Sequence, residues 1–437
     1  MTVFIVVSAA GAPLATEAAA RNPGVTWCRF DNETLLWEPG TRPWPRELRL
    51  LGGPPQATEG DLYLVVQAGN AFLNEFPDAR VAVNKGRYLA VDMTASELNH
   101  VLQHGGACFG LCPLPENTTV LETLAPARAE RQPDQGIAAL TAMVSQSRFA
   151  DTLSRLTAFR TRHSLTAEFS AAADACKAML EALGCAVSKR SIAVGSGTSF
   201  NIVADKPGVG ANRRLVLVTA HLDSVNAAGG ITGAAPGADD NGSGTAGVLE
   251  IGRILTAQPA DHDLRLVLFG GEEQGLHGSQ QYVASLPQAE RARIDSVINM
   301  DMIATLNTQA LTVLLEGASV SQALMNDLIA AAADYTSLVV QTSLHPFASD
   351  HVPFIEASMP ALLTIEGADT ANHNIHTAND TLDKINYGLA AEILKMNVAV
   401  AARRLGIRTA RSSSSPVVSW GANRIDAFVL GSDRALY

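Results

Sequence analysis

Downstream of about residue 138 the chain carries a series of solid apolar runs: RRLVLVTA, LRLVLFGG, SVINMDM, ALTVLLEG and PALLTIEG. A run that is apolar at every position suits a strand buried on both faces, the condition inside a parallel sheet. Between these runs lie SRFADTLSRLTAF, AAADACKAMLEALG, TAGVLEIGRILTA and LAAEILKMNVAVAARRLG, with apolar residues three and four apart. That spacing predicts helices, and the second of them stops at a glycine. The alternation predicts an α/β fold over residues 138–408, a mostly parallel mixed sheet flanked by helices.

Residues 1–130 read differently, with shorter β-like runs such as LYLVV and RYLAVDM between Pro- and Gly-rich joints. They predict a smaller N-terminal α+β domain that supplies no chemical motif, and that could be propeptide-like. ARAERQPDQGIA, at 126–137, suits a linker or a helix entry. A chain starting near Gln132 is therefore expected to keep its chemistry, with some loss of stability. The opening MTVFIVVSAAGAPLA reads either as a clipped signal peptide lacking its basic start or as a buried strand. At the other end, residues 409–437 combine a Ser-rich linker, SSSSP, with a 21-residue alternating strand pair that is too short to bury a core.

Composition narrows the classes. A length of 437 residues suits two or three domains, and 47% apolar with 17% charged residues excludes a disordered chain. The net charge of −11, with no Lys/Arg cluster, argues against nucleic acid or an anionic membrane as partner. No apolar run approaches the ~20 residues that span a bilayer. The five cysteines include no CxxC pair; Cys108 and Cys112 could close a small loop in an oxidising compartment or stay free.

Chemistry collects where the apolar runs end. LVLVTAHLD delivers His221 and Asp223, LVLFGGEE delivers Glu272 and Glu273, and SVINMD delivers Asp301. PGADDNGSG adds Asp239 and Asp240, and HNIHTANDT adds His373 and His376. Ionisable groups at the ends of buried strands are costly unless paired or bound to something. Each has a structural explanation alone: a core histidine, a helix cap, a turn aspartate. Together, carboxylates and imidazoles without thiolates suit Zn²⁺, Mn²⁺ or Co²⁺. There is no HExxH, and Ser243 lacks a GxSxG frame.

The set AHLD, PGADDNGSG, GEEQGLHGS, NMDM and HTANDT resembles the zinc aminopeptidases of the bacterial leucyl aminopeptidase type, over residues 138 to 408. The resemblance implies the zinc exopeptidase fold and two Zn²⁺ per chain. It implies one metal on Asp239, Glu273 and His376 and another on His221, Asp239 and Asp301, so that Asp239 bridges and its bond to the next residue is cis. Glu272 would be the general base and Asp223 would orient His221. ASDHVPF, with Ser349, Asp350 and His351, matches a loop near the family's substrate pocket. The C-terminal strand pair is similar to one repeat of lectin-like β-propellers, which suggests a piece of a longer protein; glycan binding would need the full propeller.

The implied function is removal of apolar N-terminal residues from peptides, by a metal-activated water with a Glu base. A carboxypeptidase, a glutaminyl cyclase of the same clan or a non-catalytic receptor-like scaffold are the alternatives. The expected compartment is extracellular, with the cytoplasm as the alternative.

Overall fold

Each of the five solid apolar runs forms a buried strand in the computed structural model, which describes residues 2–8, 11–39, 44, 46–52, 55–106, 108–124, 133–407, 417–421 and 424–427. The N-terminal strands are β1 (Thr2–Ser8), β2 (Thr26–Phe30), β3 (Glu33–Pro39), β4 (Gln56–Ala57), β5 (Asp61–Gln67), β6 (Arg80–Lys85), β7 (Tyr88–Met93), β8 (Phe109–Pro113) and β9 (Thr118–Leu124). After them come β10 (Ala186–Val194), β11 (Gly197–Lys206), β12 (Leu215–His221), β13 (Asp263–Phe269), β14 (Ile294–Met300), β15 (Thr312–Glu316), β16 (Val339–Ser343) and β17 (Ala361–Glu366). In the tail, β18 (Val417–Gly421) and β19 (Arg424–Ala427) pair antiparallel with each other. The SSSSP linker and the last ten residues of the lectin-like stretch lie outside the described residues.

The strands from β10 to β17 run in the order β10-β11-β13-β12-β14-β17-β15-β16. Parallel pairs join β13 to β12, β12 to β14, β14 to β17 and β15 to β16, so the sheet is mixed and mostly parallel, as the apolar runs predict. Helices Ala167–Ala182, Gly244–Leu255, Gln322–Tyr335 and Tyr387–Arg404 bury their apolar sides in one large core against this sheet. On the opposite face Phe269, Tyr282 and Phe354 anchor a second core under the helices His277–Ser285 and Val352–Glu356. No helix among the described residues is long and apolar enough to cross a membrane.

The N-terminal segment is joined to this sheet. The strand β9 pairs antiparallel with the edge strand β16, then β2, β3, β1 and β4 follow, so one sheet of 13 strands crosses both parts of the chain. The opening residues are the strand β1, with Val7 and Ile5 buried, which settles their conformation as a strand. A separate four-stranded sheet, β6-β7-β5-β8, completes the segment. All five cysteines are free thiols, and Cys112 sits in the extended strand β8 opposite Leu64, so no Cys108–Cys112 loop closes.

One core contains Phe30, Tyr88 and Val120 together with Leu314, Leu363 and Ile365, side chains from both parts of the chain. Beside it Arg87, only 4% exposed, donates from Nε and Nη2 to the Glu316 carboxylate at 2.7 and 3.0 Å and from Nη1 to Asp369 at 3.1 Å. Its remaining bond goes to the carbonyl of Phe347. Burial works against the charge of Glu316, but the Arg87 guanidinium holds its carboxyl well below the usual carboxylate range. Removing one partner of a buried ion pair strands the other. Arg87→Ala is therefore expected to destabilise the fold by about 3–5 kcal/mol in denaturant unfolding; a loss under about 1 kcal/mol would show that Glu316 and Asp369 find other partners. The same geometry revises the expectation for a chain starting near Gln132: it would bare the β16 edge and strip Glu316 of its arginine, and insoluble or inactive protein is the expected result.

Candidate metal centre

Register alone brings the chemistry together. In the parallel ladders His221 lies opposite Phe269, and Thr219 lies opposite Asn299. The segments leaving β12, β13 and β14 therefore run side by side, which places His221, Glu272 with Glu273, and Asp301 around one opening. A cavity of about 450 Å³ occupies it, lined by His221, Asp240, Glu272, Glu273, Asp301 and His376.

Two groups of three side chains meet there, each with one ligand atom per residue lying within 4.8 Å of the others: His221, Asp240 and Asp301, and Asp240, Glu273 and His376. The His221 Nε2 lies 3.2 Å from Asp301 Oδ1 and 3.3 Å from Asp240 Oδ1. The His376 Nε2 lies 3.0 Å from both Asp240 Oδ2 and Glu273 Oε2. Asp240 thus turns one carboxylate oxygen to each histidine.

This corrects the register of the bridging residue. Asp239, implied as the bridge, points away from the opening: its Oδ1 accepts from the Ala304 amide and its Oδ2 from Asn372 Nδ2, both at 2.9 Å. The physical reason is local. Asp240 and Asn241 leave helical geometry, with φ/ψ of −101°/97° and −125°/49°, so the two neighbouring carboxylates project to different sides. The cis bond is likewise one residue later, at Asp240–Asn241.

The other expected residues stand as follows. Asp223 is fully buried; its carbonyl oxygen lies 3.2 Å from His221 Nδ1, and its carboxylate accepts from the Glu272 and Glu273 amides at 3.4 and 3.3 Å. One residue therefore meets the histidine through its carbonyl and the two glutamate amides through its carboxylate. Glu272 lines the cavity and belongs to neither group of three. Burial pushes its carboxyl well above the usual range; His221 opposes this, while Asp301, Asp350 and Glu273 add to it. Burial also raises Glu273 to about 7 against the pull of His376. Both histidines are pushed up, His221 by Asp301 and Glu272 in spite of burial, His376 first by Glu273. His373 joins neither group. Ser349, expected only near the substrate pocket, donates from Oγ to Asp301 Oδ2 at 2.7 Å.

The donor set fits zinc. Each group offers one imidazole and two carboxylates, ligands that Zn²⁺ takes readily. Four carboxylates (Asp240, Asp301, Glu272 and Glu273) face two imidazoles, an excess of negative charge that a buried cavity retains when cations balance it. Glu273 Oε1 is buried with no hydrogen-bond partner, an acceptor left over for a cation. The cavity's apolar side is built by Met302, Phe347, Leu363, Ile365 and Ile375, and the N-terminal segment adds Gly69, Arg87 and Cys108.

The profile of peptidase family M28 matches residues 201–401. Leupeptin-inactivating enzyme 1 of Streptomyces exfoliatus is 34% identical over 209 residues, 46% of this chain and 44% of that protein. Aminopeptidase YwaD of Bacillus subtilis is 34% identical over 194 residues, 43% of this chain and 41% of that protein. The chain thus spans less than half the length of these relatives. Among solved structures, the LapA aminopeptidase of Legionella pneumophila superposes with a TM-score of 0.57 at 18% identity, covering 79% of this chain and 98% of its own. BSAP, a zinc aminopeptidase from Bacillus subtilis, gives 0.52 at 20% identity, covering 60% and 98%. These two show the same fold.

Proposed function

The profile of peptidase family M28 matches residues 201–401, and from that premise we propose that the chain is an aminopeptidase of this family, holding two zinc ions and releasing apolar N-terminal residues from peptides. The observation that carries the reading is the pair of three-residue groups sharing Asp240 at the mouth of one cavity. One zinc would sit on His221, Asp240 and Asp301, the other on Asp240, Glu273 and His376. When bound, zinc supplies Lewis acidity, which acidifies water and polarises a scissile carbonyl.

The chain's own residues do the rest. Glu272 lies at the cavity, free of both groups, and takes the proton from the attacking water. Holding that proton at the cavity, the same carboxyl passes it to the leaving amine. Asp223 fixes the Glu272 backbone and the His221 ring. Phe347, Ile375, Leu363 and Ile365 offer an apolar surface to the first side chain, and about 450 Å³ suits a residue or two rather than a long peptide.

A panel of aminoacyl arylamides with N-acetylated controls tests it. Leucyl arylamide should be cleaved and its N-acetyl form left intact, with activity lost to a chelator and restored by zinc. Equal cleavage of both forms, or release of C-terminal residues instead, would overturn the aminopeptidase reading.

A further inference from the structure

The residue that joins the two metal groups sits on a short loop, and two buried side chains hold its backbone, one by carbonyls and the other by amides. Arg162 is 0% exposed, and no carboxylate among the described residues pairs with it. Its guanidinium instead donates to main-chain carbonyls: Pro236 and Gly237 at 2.5 and 2.8 Å, Leu222 at 2.8 Å and Leu156 at 3.3 Å. Pro236 and Gly237 precede Asp240 on its loop, and Leu222 lies between His221 and Asp223. Asp380, 1% exposed, does the converse. Its two carboxylate oxygens accept from the amides of Asp239 and Asp240, both at 2.9 Å, and its carbonyl accepts from Ala238 at 3.1 Å.

A buried guanidinium surrounded by carbonyls is an expensive arrangement, because burial disfavours its charge and no anion repays it directly. What it gains is geometry: a planar fork can grip several acceptors at fixed angles, which an ammonium cannot. The loop has little room to settle otherwise. Gly237 has φ +54°, and a Cβ there would meet the Asp240 carbonyl at 2.5 Å and Arg162 Nη2 at 2.9 Å. The arginine and the loop backbone are therefore in direct contact where the chain turns.

We infer that Arg162 and Asp380 are positioning residues that hold the Asp240 loop in its metal-receiving form, Arg162 by its carbonyls and Asp380 by its amides. The inference rests on the metal reading above. Neither residue touches the cavity; each acts through the backbone that aims Asp240 between His221 and His376.

The test is zinc affinity of the metal-stripped full chain, titrated in competition with a chromophoric chelator. Asp380→Asn keeps the shape but sets an NH₂ group against a backbone amide. Arg162→Lys keeps the charge but cannot reach four carbonyls. Each is expected to lower zinc affinity about 10- to 100-fold, the range for groups that orient metal ligands. Leu180→Ala, in the core on the Ala167–Ala182 helix, serves as the stability control and should lower the melting temperature with zinc affinity unchanged. Wild-type affinity in the folded Asp380→Asn and Arg162→Lys proteins would overturn the inference, as would an equal loss in Leu180→Ala. A wild-type chain that takes up no zinc would instead defeat the metal reading itself.

Discussion

Asp240→Asn is expected to release zinc and abolish turnover, while Asp239→Asn keeps both within about tenfold. Asp240 faces both histidines, so its loss weakens two sites at once, and the effect should exceed the roughly 10- to 100-fold that supporting groups carry. Asp239 lies beside it in sequence but faces Ala304 and Asn372, and an asparagine Oδ1 can still accept from the Ala304 amide. Zinc per chain by emission spectrometry, with kcat on leucyl arylamide, separates the two. The reverse pattern would return the bridge to Asp239.

The second large effect is expected at Glu272. Glu272→Gln should keep its zinc, since the side chain belongs to neither ligand group, yet lose turnover. A general acid–base group contributes ~10²–10⁴-fold, about 3–5 kcal/mol of barrier, and more where one group acts twice. KM should move little. Loss of metal in this variant would mean that Glu272 and Glu273 have exchanged roles.

Much of this is legible in the amino-acid sequence. Strands buried on both faces write themselves as solid apolar runs, and ionisable residues just past their ends stand out because they break that pattern. His221, Glu273, Asp301 and His376 could be read that way, and parallel register then gathers the first three. The bridging residue could not. Two adjacent aspartates carry the same letters, and only the local turn at Asp240 and Asn241 decides which one faces the cavity.

Arg162 and Asp380 were silent for another reason: their partners are main-chain carbonyls and amides, which every residue has. Arg87 meets Glu316 across 229 positions, and no local pattern marks such a pair. The union of the two sheets was hidden likewise. Nothing in the VVQTS stretch of β16 says whether its edge is covered, and β9 covers it.

Anomalous diffraction at the zinc edge from crystals of the full chain would test the two-zinc centre most directly. The geometry predicts two peaks flanking the Asp240 carboxylate, one beside His221 and Asp301 and the other beside Glu273 and His376. A single peak, or a pair with Asp239 between them, would contradict it.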